Sequence, residues 1–154
     1  MKNLDRRTFL KLIGAASAIA SVGSAPFLAK INKAGKVMSI SASAKLPPAP
    51  YPALATKVVD GSVDLTQGTG ILVSRVLRGD PDPSIALPGS TRVIRLVGAQ
   101  PSGSLLRLHG VIDESSQIRA GEHREVEILV DTQRGTLTVP FAGGLVTLAL
   151  ANHS

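Results

Sequence analysis

The sequence predicts an all-β domain, a Greek-key β-sandwich or small barrel, standing behind an N-terminal signal helix. The prediction rests on three observations. After Val22 no stretch combines sufficient length with an apolar period of 3.6 residues. Short aliphatic and β-branched runs recur instead, several of them alternating with a period of two. Turn material rich in glycine and proline separates these runs. A chain of 154 residues fits one domain plus an appendage and is long enough to bury a core. At 44% hydrophobic and 18% charged, it is not a disordered polyelectrolyte.

Residues 1–29 read as an export signal. Asp5-Arg6-Arg7-Thr8-Phe9-Leu10-Lys11 precedes the apolar run from Leu12 to Val22, which has no polar face and so is not an amphipathic surface helix. A basic start and a modest apolar stretch are the parts of a secretion signal. The segment resembles twin-arginine translocation signals through Arg6, Arg7, Phe9, Leu10 and Lys11, with Asp5 where Ser or Thr is more usual. That resemblance implies passage through the twin-arginine translocase, already folded, to a periplasmic or extracellular destination. It also implies a cofactor loaded beforehand, fast folding, or travel with a partner.

The processing site stays open. Gly23-Ser24-Ala25 offers small residues but is followed by Pro26, whereas Ala42-Ser43-Ala44 is a better small-x-small site lying later, which would extend the removed segment to residue 44. Left uncut, Phe9 to Ala29 approaches the ~20 residues that span a bilayer. Lys30, Lys33 and Lys36 beyond it oppose the required orientation. Membrane contact is expected only through this segment, and cleavage is favoured.

Residues 30–56 read as a linker or edge-lying arm. Ser39 to Pro52 is a Ser/Ala stretch followed by Pro47, Pro48, Pro50 and Pro52, a stiff and extended composition. Residues 57–154 hold the β-domain. Its predicted strands are Ile71–Leu77, Arg92–Val97, Leu105–Ile112, Glu125–Val130, Thr136–Phe141 and Leu145–Leu150. Val58-Val59 and Val63-Asp64-Leu65 suggest a further strand pair turning at Asp60-Gly61, and Ala142-Gly143-Gly144 suits a closing hairpin. Leu106, Leu108, Gly110 and Ile112 share one face with Arg107 and His109 opposite; Val126, Ile128 and Val130 face in with Glu125 and Glu127 out.

Pro88-Gly89-Ser90-Thr91-Arg92-Val93-Ile94-Arg95-Leu96-Val97, then Leu105 to Gly110, then Ile118 to Ile128 resemble a cupredoxin-type domain over roughly Leu87 to Phe141. The resemblance implies a cupredoxin/immunoglobulin-like Greek key. It departs where the chemistry would lie: of the paired histidines of that family only His109 remains, and there is no cysteine for a blue-copper site.

Charge and composition narrow the function. Met1 to Ala44 carries seven cations against Asp5 alone, whereas Lys45 to Ser154 carries ten cations and ten anions. The excess of +6 thus belongs to the N-terminal segment, and no nucleic-acid partner is expected. Beyond Ala44 the only aromatics are Tyr51 and Phe141, too few to stack bases. With no cysteine and only His109, His123 and His153, each alone in its segment, no metal site and no cofactor are expected. Asp113, Glu114, Glu122, Glu125 and Glu127 supply carboxylates without an apolar setting for acid–base work. Asp80 and Asp82 suit a turn better than a hard cation, and Arg78-Gly79-Asp80 matches an adhesion tripeptide only at chance level. No serine lies in a nucleophile motif, and Gly68-Thr69-Gly70 precedes a strand, not a phosphate-binding helix.

No catalytic residue is therefore assigned. After Lys57 every cation is arginine, a residue favoured at interfaces. Arg92, Arg95, Arg107 and His109 are the candidate interface residues. The expected function is non-catalytic protein binding outside the cytoplasm, as a small subunit or accessory factor of an exported redox enzyme or envelope complex. The partner would be another exported protein or a second copy. The alternatives are a structural surface or filament subunit assembling through β-strand addition by the Ser39–Pro52 arm, and an enzyme with an unrecognised site.

Overall fold

The computed structural model describes residues 37–79 and 82–151; Arg6, Arg7, Phe9, Leu10 and Lys11, read from the sequence as an export signal, lie outside these, as do Asp80 and His153. Eight strands follow in order: β1 (Val37–Lys45), β2 (Thr56–Asp64), β3 (Thr69–Leu77), β4 (Arg92–Ser102), β5 (Leu105–Ile112), β6 (Glu125–Asp131), β7 (Thr136–Phe141) and β8 (Gly144–Leu150). Each pairs antiparallel with the next, and β8 closes on β1. Of the two predicted architectures, the protein adopts the small barrel, with all-β content as expected.

Its strand order is an up-and-down meander and not the Greek key expected from the sequence. A Greek key needs a long connection that returns across the sheet. The two segments long enough for that fold back locally instead. In residues 78–91 the Arg78 amide donates to the Ile85 carbonyl (2.7 Å) and Leu87 to Val76 (2.8 Å). In residues 113–124 the Asp113 amide donates to Val93, while the Ile112 amide donates to Arg124 (both 2.8 Å).

Two boundaries need correction. Val37–Lys45 is not an arm ahead of a domain starting at residue 57, because it pairs with β2 from Val37↔Asp64 to Lys45↔Thr56. Its pattern was hidden by small residues: buried Met38, Ile40 and Ala42 alternate with Ser39, Ser41 and Ser43. Only residues 46–55, which carry the four prolines, connect strands. Likewise Asp60-Gly61 is not a turn between two strands but the middle of β2. Gly61 has φ of 153°, and a β-carbon there would lie 2.1 Å from the Ile71 carbonyl oxygen. Across the same pair, a β-carbon on Gly70 would lie 2.1 Å from the Ser62 oxygen. Only glycines allow β2 and β3 to approach and coil this sharply.

Eight strands leave an interior just wide enough for side chains to fill. Met38, Ile40, Val59, Leu72, Ile94, Leu108, Ile128, Leu137 and Leu148 fill it, with no aromatic in this cluster. The predicted alternation holds on β5 and β6: Leu106, Leu108 and Ile112 point inward, as do Ile128 and Val130. A largely apolar interior, charged only at the mouth by Lys57 and Arg92, is the reverse of the polar lumen of a barrel that spans a bilayer. Among the described residues no helix is long and apolar enough to cross a membrane.

Candidate functional site

Two places on the barrel gather polar chemistry. The first is the outer face of β4, β5 and β6. Strand register sets Arg95 beside Ile71 on one side and Val111 on the other, His109 between Gly98 and Glu127, and Arg107 between Gln100 and Leu129. Arg95 pairs with Asp113, Arg107 Nε lies 3.4 Å from Glu127, and His109 Nδ1 lies 4.0 Å from the same carboxylate. Hydrogen bonds from Ser115 and from Arg95 hold the Asp113 carboxyl down to about 2. Val97, 62% exposed, faces outward by the same alternation as Arg95, just before the β-bulge between Leu96 and Gly98, and Ile71, Arg95's partner on β3, is 53% exposed. The sequence-predicted interface residues Arg95, Arg107 and His109 are thus brought together on a mixed apolar and charged face.

Arg92 does not join them. On a strand, residues three apart point to opposite faces, so Arg92 turns inward with Ile94 and Leu96 while Arg95 turns out. Arg92 is 8% exposed, and every nitrogen of its guanidinium is hydrogen-bonded inside the second site.

That second site is the barrel mouth where β1, β3, β5 and β7 end and β2, β4, β6 and β8 begin. Arg92 Nε and Nη2 donate to the two Glu122 oxygens at 2.9 and 3.0 Å, a bidentate fork. Its Nη1 donates to the carbonyls of Gly89 (2.6 Å) and Thr91 (3.1 Å). Glu122 also accepts from the Arg119 amide at 2.8 Å. Arg92 contacts and this amide hold the Glu122 carboxyl below its usual range. Beside the pair, Lys57 points inward on β2 and is 3% exposed. Its Nζ sits 4.4 Å from the centre of the Phe141 ring, which stacks on Tyr51 at 5.7 Å. Burial, then the neighbouring Arg92 charge, lowers the Lys57 ammonium from 10.5 to about 8 against the opposing pull of Glu122.

Lys57 is the functional-type residue that sequence reasoning passed over. The available signal was thin: the last lysine of the chain, just before the predicted Val58-Val59 strand, and the only two aromatics beyond Ala44, which the fold brings to the same place.

The lowered Lys57 value makes stability depend on pH in a definite direction. Between pH 8 and 10.5 the unfolded chain holds a proton that the folded chain has released, so wild-type stability rises across that window. Lys57→Met removes both the buried charge and the slope. The variant is expected to gain up to about 3 kcal/mol at pH 7 and to converge with wild type near pH 10.5. Denaturant unfolding at the two pH values checks this, and parallel behaviour of the two proteins would contradict it.

The remaining candidates are ordinary. Asp82 caps its own turn, accepting from the Ser84 amide (2.9 Å) and hydroxyl (2.7 Å). Among the described residues no group of three His, Cys, Asp or Glu could hold a metal ion. No family model matches the chain, and no curated protein or solved structure matches it either.

Proposed function

We propose that this protein is exported by the twin-arginine route to the periplasm or cell exterior and acts there by binding another protein, without catalysis of its own. The role that fits is a small subunit or accessory factor of an exported redox enzyme or envelope complex. The observation that carries the reading is the outer face of β4–β6, where Arg95, Arg107 and His109 lie with exposed Ile71 and Val97. Arginine set among apolar side chains is the composition of interface cores. The filled interior supports the same reading, since it leaves binding to the outer surface and the mouth.

Export in a folded state agrees with the topology. Every strand pairs with its neighbour in sequence, apart from the single β1–β8 closure, so the barrel forms by adding hairpins. The position of β1 constrains processing. Cleavage after Ala44 would remove all of β1 except Lys45, including buried Met38, Ile40 and Ala42. Any cut in this reading therefore falls before Val37. The same strand weakens the filament alternative, because Ser39–Lys45 is already paired in its own barrel and is not free for a neighbour.

Replacing Arg6 and Arg7 together by Lys keeps the charge but removes the planar guanidinium donors. Cell fractionation is expected to find the double variant in the cytoplasm and wild type outside it. Undiminished export of the variant would point to an ordinary secretion signal.

A further inference from the structure

We infer that the Phe141-capped mouth of the barrel is a binding site for a single carboxylate group, received by the Lys57 ammonium. This goes beyond protein binding on the outer face and rests on different residues. Lys57 is nine-tenths buried, yet its ammonium meets an aromatic ring and no hydrogen-bonding carboxylate. A largely desolvated ammonium with no carboxylate of its own is stabilised by an anion that pairs with it. The nearest anion is already taken, since both Glu122 oxygens are held by Arg92. Lys57, Arg92 and Glu122 together carry one net positive charge, which a monoanion neutralises.

Size and setting favour a carboxylate. The mouth already holds one carboxylate in a bidentate fork on Arg92, and the Phe141 and Tyr51 rings offer an apolar wall to whatever the group is attached to. Access lies at the β7–β8 hairpin. Its root pairs with β6 only from Leu129↔Thr138 to Asp131↔Thr136, and with β1 only at Ala42↔Leu150 and Ser43↔Ala149. From Val139 to Leu148 the hairpin is paired only with itself, so the tip bearing Phe141 is free of ladder bonds on both flanks. A ligand reaching the ammonium from this side meets the Phe141 ring, which lies 4.4 Å from it.

The charge logic predicts proton linkage. The groups around Lys57 are Arg92 from β4, Glu122 from the segment before β6 and Tyr51 from the segment after β1; its cross-strand neighbours, Ala44 and Val76, are apolar. A bound carboxylate favours the protonated amine, so binding takes up protons at alkaline pH and weakens as pH rises through about 8.

The test uses the full chain labelled with ¹³C at the lysine ε-carbon and titrated with sodium acetate against sodium chloride at equal ionic strength. The Lys57 signal is expected to shift saturably with acetate alone, and its titration midpoint to move upward. Acetate affinity should fall by about tenfold from pH 7 to pH 9.5, the equivalent of one unit of pKa displacement. Lys57→Gln should lose saturable binding by calorimetry while still unfolding cooperatively in chloride, and Glu122→Gln, which removes the resident negative charge, should bind acetate more tightly. A short peptide with a free C-terminal carboxylate, compared with its amide, identifies the source. Tighter binding than acetate marks a partner's chain end, and equal binding marks a free small acid. No saturable shift, an equal response to chloride, or undiminished binding by Lys57→Gln would overturn the inference.

Discussion

Gly61→Ala is expected to cost at least about 4 kcal/mol and to leave little folded barrel, a loss well above that of an ordinary point substitution. The new β-carbon would sit 2.1 Å from the Ile71 carbonyl oxygen and 2.9 Å from the Leu72 Cα, backbone atoms that have no rotamer with which to move aside. The φ of 153° adds strain for any L side chain. Gly135→Ala is the control. Gly135 also has positive φ, at 66°, but nothing lies within 4 Å of its added carbon. Its cost should be about 1 kcal/mol, the conformational penalty alone. Thermal unfolding followed by circular dichroism separates the two. Equal, small losses would mean that β2 and β3 do not approach as closely as described.

Leu108→Ala is the second large effect. Leu108 is fully buried at the barrel centre, so truncation removes its transfer free energy and leaves a cavity, about 2–5 kcal/mol together. One residue away, Arg107→Ala should cost about 0.5 kcal/mol or less, since its side chain lies on the outer face and its pairing with Glu127 is solvent-screened. The contrast tests strand register. If Arg107→Ala unfolds the protein while Leu108→Ala does not, β5 is off by one residue and the whole outer face is reassigned.

Strands β5 and β6 were legible in the sequence because large aliphatic residues alternate there with Arg, His and Glu. β1 was not, since Ser and Ala alternate too weakly in size and polarity to be seen without the partner strand. β4 was read only as far as Val97, where the bulge reverses its alternation: Leu96 is inward before it, and Ala99 pairs with inward Leu108 after it. Asp60-Gly61 reads as a turn from sequence because the composition that makes a turn also permits close backbone approach. Meander and Greek key share strands and differ only in connections, which periodicity does not encode. At the candidate site, the outer cluster followed from alternation in β5. The mouth did not, because Lys57, Arg92, Glu122 and Phe141 are far apart in sequence and meet only through barrel closure.

The central proposal is that the barrel is exported and works by holding a partner on its β4–β6 face, and purification from the producing cells under mild extraction tests it most directly. Wild type is compared with Arg95→Ala/Arg107→Ala, both recovered from the exported fraction and characterised by size, stoichiometry and melting. The expected result is a defined complex for wild type, and loss of the partner from a double variant that melts as wild type does. A wild-type protein recovered as a monomer with no partner, or a variant that keeps its partner undiminished, would contradict it.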